Sequence, residues 1–545
     1  MALAHVVVAP LVITLVTAIL TLLTRRYGRL QRAISLLGIA GYVLAVAAIA
    51  GRVFSIDVLT GASEETATLT YQLSNWPAPF GISLVADALS AFMLVLAAIV
   101  SAAALVFSAR YVTEYGQRVA YHSLFHFMLT GVTGAFLTGD IFNLFVWFEV
   151  MLMPSYVLVV FYGRSEHTRA ALQYTVLNLL GSALMLVSIG GLYATTGTLN
   201  MADMSRRLTH ASQYGIEPAP VLGLSAILLA VFALKAGIVP FQFWVPAAYR
   251  AAPAPISAML AGVTKKVGVY AIVRLVFTVL GGATLADGLE LGLSGTSFAA
   301  FFGPVLFVMA VGSIFVGGLG AVSRNDLDGV LAYSSIGQVG FIVLAIALAA
   351  GADALGTGTD AVRTLALIAV LVYSLNHAIA KSLLFLISGV IQESVGSTRF
   401  SALGGLASPR PILAGSFFLG AIALIGIPPL TGFFGKLLVF ESAGEALNAG
   451  VPLAELALGA ALAGAVLTII YMSRAWNRVF WGSPADPVTH AYRPTVLVAI
   501  VAGFSLLVVV LGVGFDPVYR LAETAAHAAA DHTGYVEAVA PEVIE

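Results

Sequence analysis

The sequence predicts an all-α polytopic membrane protein, and three observations predict it. Of the 545 residues, 60% are hydrophobic and only 10% charged, against about 25% charged in a soluble domain. Apolar runs of the length that crosses a bilayer, about 20 residues, recur along the whole chain. The cations sort by place: all five lysines lie inside those runs, and all arginines but one lie between them.

Taken in order, the runs give fourteen expected helices, near 3–23, 32–51, 83–109, 119–138, 141–161, 169–195, 221–248, 254–281, 299–321, 329–350, 363–391, 412–441, 455–473 and 493–513. The first is expected to be a membrane span and not a cleavable signal, because it lacks a basic leader and arginines follow it. Arg25, Arg26, Arg29 and Arg32 place the first loop in the cytoplasm. Alternating sides from there assigns 15 arginines to cytoplasmic loops and five to external segments. A wrong helix count would mix the two sides, so both termini are expected outside. The insert from about Gly51 to Ile82, with Asp57, Glu64 and Glu65, is expected to be an external loop. The tail from Asp516 is polar and acidic, with an amphipathic stretch near 518–529. The chain divides into an N-terminal unit of three helices (1–110), a first repeat (111–281), a second repeat (299–476) and a last helix with its tail (490–545).

The seventh and twelfth helices are interrupted. One reads Leu234-Lys235-Ala236-Gly237-Ile238-Val239-Pro240; the other runs from Gly426 through Pro428 and Pro429 to Lys436. Proline removes a backbone donor, and a broken helix survives in a membrane where its freed groups face protein or water. Two broken helices five apart imply two five-helix repeats of opposite sense, helices 4–8 and 9–13. The lysine precedes the proline in one break and follows it in the other.

Composition also excludes functions. A net charge of −1 gives no reason for nucleic acid. With no cysteine, the chain ligates no iron–sulfur cluster. No phosphate-binding G-x-x-x-x-G-K-[ST] motif occurs. His122 and His126 are four apart near an interface with no third ligand in view, so packing is favoured over a metal or haem, and no cofactor is expected.

Burying a charge at the bilayer centre costs roughly 2.5–3.5 kcal/mol on insertion scales. Lysine is the informative choice, because it can lose its proton where arginine cannot. Ion or proton translocation is therefore the expected work. Lys235 is expected to pair with the central Glu149. Lys265 and Lys266 point about 100° apart on a helix, so only one is expected to face a conduit. His377 and Lys381 share a face at i, i+4, and Lys436 lies beside the second break. Secondary candidates are Lys265, Asp87 (a structural partner), Ser335 and Glu441 (near the external end of its helix). Asp140 is expected in a tight turn. Arg274 is expected to meet a carbonyl or an interface, and Ser334, Ser335 and Gln338 to pack helices.

Gly139-Asp140-Ile141-Phe142-Asn143-Leu144-Phe145-Val146-Trp147-Phe148-Glu149-Val150-Met151-Leu152 resembles the fifth-helix motif of the D subunit of Mrp-type cation/proton antiporters, and less closely that of the complex I antiporter-like subunits. Leu234–Trp244, Thr264–Tyr270, Leu331–Gln338, His377–Leu386 and Gly426–Lys436 follow the same superfamily in order. The resemblance implies fourteen helices, two inverted repeats and a hydrophilic axis at mid-membrane. It implies that Glu149 and Lys235 form a modulating pair, that Lys266, His377 and Lys381 continue the axis, and that Lys436 ends it. Lys265 looks like an extra lysine, and Pro154 an unusual one that bends its helix. The resemblance further implies a partner set: a multi-subunit bacterial membrane complex exchanging Na⁺ or K⁺ for H⁺. A subunit of a redox-driven proton pump, a transporter of small organic anions, and a scaffold for neighbouring subunits remain alternatives.

Overall fold

The computed structural model describes residues 5–55, 67–284, 297–356 and 358–540. Asp57, Glu64 and Glu65 lie outside the described residues. The fold is an all-α membrane bundle. Its helices are α1 (His5–Leu23), α2 (Gly28–Val53), α3 (Ala88–Tyr111), α4 (His122–Leu137), α5 (Ile141–Val159), α6 (Ser165–Thr196), α7 (Met201–Thr209), α8 (Pro218–Ala236), α9 (Trp244–Ala251) and α10 (Ala254–Val279). There follow α11 (Phe298–Ser323), α12 (Leu327–Ala354), α13 (Asp360–Val395), α14 (Pro411–Ile425), α15 (Thr431–Asn448), α16 (Ala454–Val479), α17 (Thr495–Val513), α18 (Phe515–Ala530) and α19 (His532–Val539).

Twelve of the described helices are long and apolar enough to cross a membrane. The two other expected spans are divided. A π turn over Gln117–Tyr121 leaves α4 with 16 residues, and the break before Thr431 splits residues 411–448 into α14 and α15. The expected third helix also loses its start. Residues Ser83–Ala86 form a strand, β2, antiparallel to β1 (Leu69–Gln72). Asp87 then caps α3 by accepting from the Ser90 N–H at 2.8 Å.

Helices α10, α12 and α13 are buried along almost their whole length and form the core. The outer helices turn apolar side chains outward; Leu172, Val176, Leu180, Leu184 and Val187 line the exposed face of α6. In a bilayer that outward face needs no water. The tail is not loose. Val518, Ala522, Ala525 and Ala529 of α18 form the expected amphipathic stripe, and it packs on α3 and α13.

One capped turn occurs twice. Asp140 precedes α5, accepts from the Asn143 N–H at 2.7 Å and bridges to Asn200, while the Ile141 N–H donates to Leu199 O. Asp326 precedes α12, accepts from the Gly329 N–H at 2.7 Å and bridges to Arg399, while the Leu327 N–H donates to Thr398 O. Nine residues beyond each aspartate stand Glu149 and Ser335.

The two breaks are also alike. Helix α8 ends at Gly237 (φ 65°) and α14 at Gly426 (φ 92°), both left-handed, where a side chain on Cβ would be strained. Pro240, Pro428 and Pro429 follow and stop the helix from resuming at once. The freed backbone groups find partners. Trp244 Nε1 donates to Leu234 O, the Val239 N–H to Ser313 Oγ, and Asn376 Nδ2 to Ala423 O. By contrast, α5 runs on through Pro154 without a break.

Candidate functional site

The buried lysines fall into three stations. At the first, Lys235 Nζ donates to Ser182 Oγ at 2.9 Å and to Asn178 O at 3.3 Å. The Ser182 hydroxyl donates in turn to Glu149 Oε1. The expected direct pair of Glu149 and Lys235 is therefore a bridged one. A hydroxyl that accepts from one side and donates to the other can hand a proton on. The ring of Phe148 lies 5.6 Å from the Lys235 ammonium.

The second station is at the centre of the core. Lys266 Nζ lies 2.6 Å from His377 Nδ1, and His377 Nε2 lies 3.3 Å from Ser335 Oγ. Lys265 Nζ donates to Ser335 O at 3.3 Å. Lys381 Nζ donates to Leu331 O at 3.0 Å and to Ser334 Oγ. Among the described residues, no lysine lies within an ion-pair distance of a carboxylate. Each proton added to this cluster therefore raises the cost of the next.

The imidazole can bridge this group in two states. With Lys266 charged and donating, His377 carries its hydrogen on Nε2 and gives it to Ser335. With Lys266 neutral, His377 carries it on Nδ1 and Nε2 accepts from Ser335. The switch between tautomers moves one proton, and it follows from the partners of the two ring nitrogens.

Two expectations fail here. Both adjacent lysines reach the same cluster, Lys265 through Ser335 O and Lys266 through His377. The two Cα–Cβ directions still diverge by about 100°, and the four-carbon stems carry the ammonium groups to two different partners of one cluster, Ser335 O and His377 Nδ1. Ser334 and Ser335 are bonded to Lys381 and His377, and so are site residues more than packing residues.

The third station is the second break. Lys436 Nζ donates to Ile425 O at 2.9 Å, the last carbonyl of α14. The ammonium thus sits at a helix C-terminus, where the dipole favours a cation. This resolves the asymmetry in the sequence. Lys436 follows its break but reaches back across it, so its ammonium lies at the end of the first half-helix, the place in the chain where Lys235 stands in the other break. Each break glycine also admits a lysine: a Cβ on Gly426 would meet Lys436 Cδ at 3.0 Å, and one on Gly237 would meet Lys265 Cε at 3.2 Å.

Beside Lys436 lies a polar knot of which the sequence signals only Gln338, expected to pack helices and found joining three of them. Gln338 Nε2 donates to Tyr471 Oη at 2.6 Å and Thr468 Oγ1 at 3.0 Å, and the Tyr373 hydroxyl donates to Gln338 Oε1. Phe341 joins the two, packing on Tyr373 and lying 5.2 Å from the Lys436 ammonium. Asn178 and Ser182 also escape a reading of the sequence. Their only signal is a polar pair at i, i+4 in a leucine-rich span.

Other candidates lie elsewhere. Arg274 meets neither a carbonyl nor an interface. It is 2% exposed and holds Asp87 with two bonds of 2.7 and 2.8 Å, so Asp87 is a structural partner away from the lysines. Glu441 is exposed on α15. His126 bonds Ser35 and His122 bonds Gln117, as packed core histidines do.

Residues 138–458, which hold all three stations, match the family described as NADH:quinone oxidoreductase/Mrp antiporter, TM. The chain belongs to that family. Its relatives include the D subunit of the Na(+)/H(+) antiporter of Alkalihalophilus pseudofirmus, 34% identical over 99% of this chain and 100% of that one. The same subunit of Bacillus subtilis is 32% identical over 98% and 99%. The N subunit of the NADH-quinone oxidoreductase of Desulforudis audaxviator is 32% identical over 82% of this chain and 83% of that one. Among solved structures, a chain of the Mrp complex from Dietzia sp. superposes with a TM-score of 0.80 at 26% identity, covering 99% of both. A chain of a membrane-bound sulfane sulfur reductase, an archaeal respiratory membrane complex, superposes at 0.83 with 26% identity, covering 98% and 99%. The family therefore includes antiporter and respiratory members.

Proposed function

We propose that the chain is the proton-translocating subunit of a multi-subunit Na⁺/H⁺ antiporter in a bacterial cell membrane. Protons pass along Glu149, Lys235, Lys266, His377, Lys381 and Lys436, with Lys265 and Ser335 in the path and hydroxyls or water between stations. The observation that carries this is the buried lysine–histidine cluster, in which every lysine is bonded to a hydroxyl, an imidazole or a carbonyl and none to an acid. The hydroxyls and the imidazole can exchange a proton with little movement, while the carbonyls hold the ammonium groups in place. The full-length similarity to the D subunits of Na(+)/H(+) antiporters supports the same reading.

The architecture that goes with it is two inverted repeats, residues 111–281 and 299–476, within fourteen membrane crossings. The doubled aspartate turn and the doubled glycine break support the repeats. The arginine-rich loops would face the cytoplasm and both termini the outside. The protein would be a transporter subunit and not a catalyst of bond chemistry, with partner subunits in the membrane. Na⁺ or K⁺ would be the counter-ion.

A second reading is favoured by the Desulforudis relative and the respiratory complex: a subunit of a redox-driven proton pump. One experiment addresses both. The native complex is purified and assayed in everted vesicles, with Lys235→Ala and Lys235→Arg alongside. Antiport should fall at least tenfold in both variants, since arginine keeps its proton. Unchanged exchange in either sinks the antiporter reading, and co-purifying iron–sulfur subunits would establish the pump.

A further inference from the structure

A cavity of about 950 Å³ opens between α6, α9, α10, α12 and α13. Charged side chains of both signs ring it, among them Arg169, Arg250, Asp328 and Glu393. Mixed charge of this kind holds water and mobile ions, and lacks the single sign that would select an anionic headgroup.

The inner wall is aromatic. Tyr249 packs edge-on against Phe385 at 5.5 Å and Trp244 at 6.2 Å. Tyr249 is 2% exposed, yet its hydroxyl has no hydrogen-bond partner among the described residues. An unpaired buried hydroxyl costs about 1–3 kcal/mol. The Ser335 side chain lies close enough to act on that hydroxyl. Ser335 is the group that contacts His377 Nε2. Tyr249 therefore has the cavity on one side and the central cluster on the other.

We propose that this cavity is the entry chamber of the central cluster and that the Tyr249 hydroxyl is the link between them. A hydrated proton in the cavity protonates the phenol oxygen. The phenol passes its own hydrogen to Ser335 Oγ. Ser335 passes its hydrogen to His377 Nε2, and His377 releases the hydrogen on Nδ1 to neutral Lys266. One proton enters, one lysine becomes charged, and each hydroxyl ends with the hydrogen count it began with. The return of Tyr249 and Ser335 to their starting orientation resets the path. Asp328, which accepts from the Ser388 hydroxyl at 2.5 Å and the Thr398 hydroxyl at 2.9 Å, lines the same cavity.

This inference rests on the proposed proton-carrying role, so its test includes a reference variant. The whole complex carrying Tyr249→Phe is assayed for antiport in everted vesicles beside Lys235→Ala. Phenylalanine keeps the ring contacts and removes only the hydroxyl. Exchange should fall about tenfold with assembly intact. Because the chain has no cysteine, Ala247→Cys on the cavity wall gives a second measurement. It should be active until a charged, membrane-impermeant thiol reagent reaches it from one face, and should then lose at least fivefold. If Lys235→Ala is inactive while Tyr249→Phe matches the unaltered complex, the link is wrong and the function stands. If the reagent reaches Ala247→Cys from neither face, or modifies it without effect, the chamber is wrong. If Lys235→Ala exchanges normally, the proton-carrying role itself falls.

Discussion

Between Glu149 and Lys235 stands one hydroxyl, and its hydrogen is committed. Ser182 gives it to the carboxylate and accepts from the ammonium. Ser182→Ala leaves Lys235 with only the Asn178 carbonyl and removes the hydroxyl that donates to Glu149. Exchange by the intact complex should drop about tenfold, and Ser182→Thr, which restores a hydroxyl, should recover most of it. Equal activity of the alanine and threonine variants would show that the bridge carries nothing. The lysines are legible in the sequence because a charge inside an apolar run is energetically unfavourable and stands out. Ser182 is not, because serine costs little in a membrane helix and its role depends on which neighbour it faces. The same limit hides Tyr249 and Tyr373: an aromatic residue in a span reads as packing until the structure shows where its hydroxyl points. Arg274 escapes a local reading for a related reason. Its partner Asp87 lies 187 residues away, and no local pattern joins them.

Among the elements, the broken helices are the most legible and the adjacent lysines the least. Proline and glycine act through the local backbone, so the breaks at Pro240 and at Pro428-Pro429 follow from the sequence alone. The convergence of Lys265 and Lys266 has no such signature, because it depends on where Ser335 and His377 of the neighbouring helices stand. At Gly237 the break does two things: it takes a left-handed conformation and it leaves room for the Lys265 stem. A methyl at Gly237 would stand 2.5 Å from Val245 Cγ2 and 3.2 Å from Lys265 Cε, so Gly237→Ala should incur the left-handed penalty, about 1–2 kcal/mol, and displace both Val245 and Lys265. Exchange should fall roughly tenfold in a complex that still assembles. Gly223→Ala, in the same helix with open space within 4 Å of where its methyl would stand, should exchange normally. Matching losses in the two variants would refute the link between the break and Lys265.

Across the whole molecule, the lysine stations and the Arg274–Asp87 pair divide the labour. The lysines have no directly bonded acid, Glu149 reaching Lys235 only through Ser182; Arg274 is a cation fully matched, joined to Asp87 by two bonds and ringed by Tyr270 and Tyr535. Tyr535 belongs to α19, and the Thr278 hydroxyl, one turn from Arg274, donates to Ala529 O of α18. The pair therefore ties α3 to α10 and seats the tail on both. A buried pair adds little net stability, but breaking one side leaves a bare charge and costs about 3–5 kcal/mol. Asp87→Ala should lower the melting temperature of the complex and loosen the tail, exposing Arg520 on α18 to trypsin. The double variant Asp87→Ala with Arg274→Met buries no charge, so it should recover part of the lost stability. Proton exchange per assembled complex should be unchanged in the double variant, because neither residue touches a station. If the double variant is less stable than Asp87→Ala alone, or if exchange is lost in a complex of normal stability, the pair belongs to the path and not to the frame.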